Sequence, residues 1–219
     1  MKAFASNAFW VASCLPGWLR FQRAAEHAEE TQSALLLNYL QANKDSEYGR
    51  LYKFDSIASP KQFQKQVPLT TYDDYTEAIA RISEGKPSVL TADPVRMFEL
   101  SSGSTAASKL IPYTDSLKAE FQRGISAWIY NLYTKIPELQ RGPAYWSITP
   151  LVDGKRFSSG GIPIGFDSDS EYLGQFGKLL ADSAMAVPNA VKNISNVDLF
   201  RYVTLLCLLR QPNLRLFSV

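Results

Sequence analysis

The sequence predicts an α/β fold in which a mixed sheet packs against helices. Three observations carry that expectation. Short apolar runs of strand length alternate with segments of helical period: residues 95–100 and 109–111 come before a helix over about 115–136, and a further strand follows at 145–149. Proline and glycine punctuate the joins, as at Glu84-Gly85-Lys86-Pro87 and Ala92-Asp93-Pro94. At 219 residues, 46% hydrophobic and 20% charged, the chain has the apolar material for the core of one large domain or two small ones.

Each element has a local cause. The N-terminal stretch contains Val11-Ala12-Ser13-Cys14, which has the outline of a lipoprotein cleavage site. Ser6 and Asn7 interrupt its apolar run, one positive charge precedes it, and it is short for a signal. The stretch therefore reads as an amphipathic helix using Phe9, Trp10, Cys14, Trp18 and Phe21. Residues 24–43 read as a helix with Leu36, Leu37 and Leu40 inward, ending in the polar stretch 44–52 around Gly49. Ser59-Pro60 is a helix start, with serine as cap and proline in the first turn, and Phe63 packs inward behind it. Thr71 with Asp74 is a capping pair opening a helix to about residue 82. Residues 89–90 read as extended.

Thr114 caps the long helix, which carries Leu117, Phe121, Ile125, Trp128 and Leu132 near helical spacing. Residues 152–155 form a hairpin-type turn, and Ser158-Ser159-Gly160-Gly161 reads as a flexible connection. Ser168 or Asp169 caps a helix carrying Tyr172, Leu173, Phe176 and Leu179. Asn196 caps the last helix, whose run 199–209 reads as buried and is too short to span a bilayer, which needs roughly 20 apolar residues. Residues 214–219 look like a strand.

Charge and composition narrow the functional classes. With 23 basic and 21 acidic residues the net charge is +2, and no Lys/Arg block argues for nucleic acid. Nothing argues for a membrane partner, and no feature sets an oligomeric state. Cys14 and Cys207 match no zinc or redox spacing, so they read as free thiols in a reducing, cytoplasmic setting. His27 is the only histidine and sits in a charged helical stretch, which leaves little support for a histidine-dependent triad. Asp73-Asp74, and Asp167, Asp169 and Glu171, are better explained as helix N-termini than as metal ligands, so no metal ligand is assigned.

The most informative stretch is Ser101-Ser102-Gly103-Ser104-Thr105-Ala106-Ala107-Ser108-Lys109, between two apolar runs. Ser101, Ser102, Ser104 and Thr105 surround Gly103, and Lys109 closes the loop. Small residues let backbone approach oxygen atoms, N–H groups and hydroxyls donate to them, and the lysine neutralises charge. The pattern is not the Walker loop, because no second glycine precedes the lysine and no Ser or Thr follows it. The bland alternative is a polar surface loop between two strands.

The ordered set of segments resembles the N-terminal part of the Gretchen Hagen family, the auxin-responsive acyl acid amido synthetases and their bacterial relatives, within the adenylate-forming enzymes. Asn43-Lys44-Asp45-Ser46-Glu47-Tyr48-Gly49-Arg50 with Phe54 and Ile57 carries part of the match. Phe63, Val67-Pro68-Leu69 and Tyr72-Asp73-Asp74-Tyr75 carry more, as do Gly85, Val89-Leu90-Thr91, the 101–109 loop with Ile111-Pro112, Gly161-Ile162-Pro163-Ile164-Gly165, and the strand within 212–219. The resemblance covers nearly all of the chain. It departs at Ala106-Ala107, where the family's loop usually has glycine, and the family's adenine and ribose motifs, hinge and mobile C-terminal domain come after the equivalent of Val219.

The resemblance implies that residues 1–219 are a partial N-terminal ATP-binding domain, with the C-terminal domain absent. It implies ATP and Mg²⁺ as cofactors and two small-molecule substrates, a carboxylic acid and an amino acid. The acid becomes an acyl-adenylate and the amine then displaces AMP to give an amide. Ser101, Ser102, Gly103 through its N–H, Ser104 and Thr105 are the implied nucleotide-binding donors, and Lys109 is the implied catalytic point charge. Removing one such donor costs about 10²–10³ in rate at sites of this kind. Arg123 and Trp128 are plausible wall for the acyl group, although Trp128 also reads as core. A coenzyme A ligase of the wider group and a non-catalytic remnant that keeps the fold are the alternatives. The fragment by itself is expected not to catalyse adenylation.

Overall fold

The computed structural model describes residues 2–101, 109–146, 156–165 and 184–218. The chain divides into two compact units, one made of Met1–Phe21, Ala119–Lys155 and Phe166–Val219, the other of Gln22–Lys118 and Arg156–Gly165.

In the first unit, helix α1 (Lys2–Glu26) and helix α6 (Asp115–Lys135) supply most of one core cluster, and Tyr145, Ala186, Val187, Val191 and Phe200 form another. The inward stripe of α1 is Asn7, Trp10, Val11 and Cys14, at the i, i+3, i+4, i+7 spacing of one helix face. Phe9 lies one residue off that stripe and is exposed, as is Phe21, while Trp18 stacks on Tyr130 with ring centroids 4.9 Å apart. On α6 the buried residues are Ala127, Ile129 and Tyr133. The stripe expected from sequence is only partly inward: Ile125 and Leu132 pack on the core, but Leu117, Phe121 and Trp128 stay about two-fifths exposed. Trp128 instead meets the edge of Trp146 at 5.2 Å. Asn7 anchors the other end of α1, donating from Nδ2 to the carbonyls of Gln140 (3.1 Å) and Gly142 (3.0 Å).

Strand β3 (Ala144–Trp146) pairs in parallel with β6 (Leu216–Ser218), and Ala144 also bridges to Met185. Helix α7 (Val197–Leu209) is capped as expected, with Asn196 Oδ1 accepting from Leu199 N at 2.8 Å. It is not buried all round: Phe200 and Thr204 face the core, whereas Leu199, Tyr202, Leu205 and Leu209 are exposed.

In the second unit, α2 (Ala28–Asn43) places Leu40 in a cluster with Phe54 and Ile57, and Leu36, Leu37 and Phe63 pack against it. The chain does not leave helix for good at residue 44. Ser46 caps a short helix, α3 (Glu47–Leu51), by accepting from Gly49 N at 2.9 Å. Gly49 lies inside that helix at a position that needs glycine, because a Cβ there would sit 2.1 Å from the Asn43 carbonyl oxygen. Ser59 caps α4 (Pro60–Gln66), with its hydroxyl accepting from Gln62 N at 3.3 Å. The Thr71–Asp74 capping box opens a single 3-10 turn, Tyr72–Tyr75, which runs into α5 (Thr76–Ser83).

Strands β1 (Val95–Leu100), β2 (Leu110–Thr114), β4 (Arg156–Phe157) and β5 (Pro163–Ile164) form a four-stranded sheet in the order β2-β1-β5-β4. β1 is antiparallel to β2 and parallel to β5, so the sheet is mixed. Phe98, at the centre, is fully buried against Ile79, Ile82 and Val89. The 158–161 connection is pinned rather than loose. Gly160 N donates to the Ser83 carbonyl at 2.7 Å, which satisfies a terminal carbonyl of α5. A Cβ at Gly160 would come within 2.4 Å of Glu84 C and Gly85 N. Residues 89–90 are bends rather than strand, and residues 147–155 and 166–183, with the turn and helix expected there, lie outside the described residues.

Candidate functional site

The site begins with a hairpin. β1 and β2 pair with Glu99 opposite Ile111 and Leu100 opposite Leu110, and the Ser101 N–H donates to the Lys109 carbonyl at 3.0 Å. The two strands therefore stay in register up to Ser101 and Lys109, as a strand–loop–strand turn requires. Ser102, Gly103, Ser104 and Thr105, with Ala106-Ala107, lie outside the described residues. Ser101 is half-buried and Lys109 is exposed.

The base of the hairpin is held from the side by the Tyr72–Tyr75 turn. Ser101–Lys109 is a hydrogen-bonded antiparallel pair, so Leu100–Leu110 is a non-bonded pair, whose N–H and C=O groups point away from the partner strand. Among the described residues β2 is the edge of its sheet, and no described strand meets those groups of Leu110. The Tyr72 hydroxyl meets both: it accepts from Leu110 N at 3.0 Å and donates to the Leu110 carbonyl at 3.2 Å. The same ring lies under the Lys109 ammonium, whose Nζ is 4.7 Å from the ring centroid. No carboxylate among the described residues pairs with Lys109. In the sequence Tyr72 stands out only as part of a motif, because the edge position of β2 is not visible there.

Around this turn the side chains are interlocked. The Asp74 carboxylate accepts from Thr71 N at 2.7 Å and from the Thr71 hydroxyl at 3.0 Å, and these bonds hold its pKa below the usual carboxylate value. The Tyr75 hydroxyl meets Thr70 Oγ1 at 2.7 Å and the Tyr48 hydroxyl at 3.1 Å. Burial, then the bond to Tyr75, pushes the Tyr48 phenol well above its ordinary value. On the far side of the hairpin, the Thr114 hydroxyl accepts from Leu117 N at 3.2 Å and Asp93 Oδ2 accepts from Ser116 N at 3.1 Å, which fixes the start of α6.

The donor set suits a polyphosphate: four loop hydroxyls, main-chain N–H groups around a glycine, and a lysine whose charge no carboxylate among the described residues neutralises. Arg123 is tied to Glu120 at 3.5 Å on an exposed face of α6. No group of three His, Cys, Asp or Glu that would hold a metal occurs among the described residues.

Comparisons with known proteins point to one family. The family model described as GH3 family N-terminal domain matches residues 19–219. The probable indole-3-acetic acid-amido synthetase GH3.1 of Arabidopsis thaliana is 31% identical over 153 residues, covering 66% of this chain and 25% of that protein. The indole-3-acetic acid-amido synthetase GH3.15 of the same plant is 27% identical over 190 residues, covering 85% and 32%. A solved structure titled GH3.15 acyl acid amido synthetase superposes with a TM-score of 0.63 at 26% identity, over 80% of this chain and 30% of that one. The chain thus spans about a quarter to a third of the length of these relatives.

Proposed function

The chain belongs to the GH3 family, matched by its N-terminal domain over residues 19–219, and on that premise we propose that it is the nucleotide-phosphate-binding part of an ATP-dependent acid–amino acid ligase. The observation that carries this reading is the hairpin closed between Ser101 and Lys109, with an ammonium at its exit that no carboxylate among the described residues pairs. When bound, ATP with Mg²⁺ would supply the adenylyl group that turns a carboxylate into an electrophile. This chain's own residues would hold the negative charge that grows on the departing phosphates. Ser101, Ser102, Ser104 and Thr105 offer hydroxyl donors, Gly103 offers its N–H, and Lys109 offers a full positive charge. The substrates in this reading are a small carboxylic acid and an amino acid, as the names of the relatives indicate for those proteins. The free thiols Cys14 and Cys207 suit a cytoplasmic setting, and no helix among the described residues is long and apolar enough to cross a membrane.

Calorimetry of the chain with ATP and Mg²⁺, beside Lys109→Ala, tests the reading. Saturable binding that Lys109→Ala weakens strongly but still measurably is the expected result. Absence of binding by a folded parent chain, or binding that ignores the substitution, would overturn it.

A further inference from the structure

We propose that Tyr72 is a positioning residue for the loop hairpin, presenting Lys109 through its ring and fixing the first residue of β2 through its hydroxyl. The proposal deepens the phosphate-loop reading and rests on it for its functional meaning. Its structural content stands on separate observations. One phenol makes three contacts with two consecutive residues: the ammonium of Lys109 at 4.7 Å, the Leu110 N–H at 3.0 Å and the Leu110 carbonyl at 3.2 Å. Lysine is among the side chains with the most rotamer freedom to lose on meeting an anion. A ring face that already holds the ammonium at the loop exit removes part of that loss beforehand. An edge strand that had to leave its first N–H and C=O to water would fray at the end that carries the lysine.

The turn bearing Tyr72 is itself fixed before any ligand arrives. The Thr71–Asp74 box closes it on one side, and the Thr70–Tyr75–Tyr48 hydroxyl chain ties it to α3 on the other. Tyr72 also packs against the Phe98 cluster that carries β1. The segment Leu69-Thr70-Thr71-Tyr72-Asp73-Asp74-Tyr75 thus acts as a bracket that delivers one phenol to the base of the hairpin.

The two parts of the phenol are separable by substitution. Tyr72→Phe keeps the ring under Lys109 and loses both bonds to Leu110, and Tyr72→Leu loses all three contacts. In the chain with ¹³C,¹⁵N-labelled lysine, with Lys109 assigned from the signal missing in Lys109→Arg, the Lys109 ε-methylene protons should be shifted upfield by the ring. That shift should persist in Tyr72→Phe and vanish in Tyr72→Leu, while the Leu110 amide should exchange faster in both variants. Binding of MgATP should weaken roughly two- to fivefold in Tyr72→Leu, and Tyr72→Leu with Lys109→Ala should be no weaker than Lys109→Ala alone. A Lys109 signal indifferent to Tyr72→Leu, or losses that simply add in the double variant, would overturn the proposal. A parent chain that shows the ring shift and the Leu110 protection but binds no MgATP would refute the phosphate-loop reading and leave the bracket standing.

Discussion

Tyr133 offers a stability test with an unusual sign. It lies in the last turn of α6, fully buried, with its ring meeting Trp10 edge-on at 5.9 Å. Its hydroxyl has no hydrogen-bond partner among the described residues, and burial pushes its phenol up to about 12. An unsatisfied buried hydroxyl costs about 1–3 kcal/mol that a hydrogen in its place would not. Tyr133→Phe removes that cost and leaves the ring contacts in place. It also leaves a small void; at about 24 cal/mol per Å³, a gap of roughly 15–20 Å³ costs only about 0.4–0.5 kcal/mol. The balance is a gain of about 0.5–2.5 kcal/mol. Equilibrium urea unfolding of the chain reads it directly: the midpoint should rise by roughly 0.2–1.3 M for a slope near 2 kcal/mol/M, with that slope unchanged. A lower midpoint, equivalent to a loss of about 1 kcal/mol or more, would show that the hydroxyl is satisfied and would refute the reasoning.

Gly160→Ala should destabilise the chain, because its Cβ would meet Glu84 C and Gly85 N at 2.4 Å and main-chain atoms cannot swing aside. A loss of about 1–3 kcal/mol or more is expected in the same urea assay, and a change under about 0.5 kcal/mol would show that the turn yields freely. Acid should weaken the second unit. Bonds from Arg81 and then Lys86 hold Glu47 below its ordinary 4.5, the Thr71 bonds hold Asp74 below 3.8, and the Ser116 hydroxyl heads the bonds that hold Asp93 below the same value. Each group binds fewer protons folded than unfolded, so its contribution is complete above the ordinary value and is lost as pH falls through the depressed one. Stability should therefore be flat from about pH 6 to 8 with respect to these groups and should fall below about pH 4, and a urea midpoint unchanged down to about pH 3 would contradict the assignment.

Where a structural feature is closed by residues three or four apart, the sequence was enough to find it. Ser59 before Pro60, Thr71 with Asp74, Thr114 before the long helix and Asn196 before the last one all cap where their chemistry places them. The hairpin around the 101–109 loop follows from two apolar runs flanking a polar one. The choice of inward face was harder. On α6, Leu117, Phe121, Ile125, Trp128 and Leu132 make a credible stripe, yet burial favours Ile129 and Tyr133, and Trp128 finds Trp146 instead. Period alone does not rank two overlapping stripes when both are apolar. Residues 199–209 carry apolar side chains around most of their circumference, so the exposed row of Leu199, Tyr202, Leu205 and Leu209 was invisible as such.

What the sequence hid shares one cause. The Ser83 carbonyl ends α5 with no helical partner and is met by Gly160 N, 77 positions along the chain. The Leu110 N–H and carbonyl turn outward from an edge strand and are met by Tyr72, 38 positions away. The Gln140 and Gly142 carbonyls are met by Asn7, more than 130 positions away. In each case a main-chain group that secondary structure leaves unpaired is satisfied by a remote donor or acceptor, because leaving it dry costs about as much as a lost hydrogen bond. The orphan groups can be anticipated from helix ends and sheet edges, but their partners cannot, since those depend on which strand becomes the edge. Tyr72 shows the functional consequence. The edge position of β2 creates the need for a hydroxyl at Leu110, and the phenol that fills it brings its ring under Lys109. Tyr72 thus reaches the candidate site through the backbone groups of Leu110 that it satisfies, not through an acid, base or nucleophile of its own.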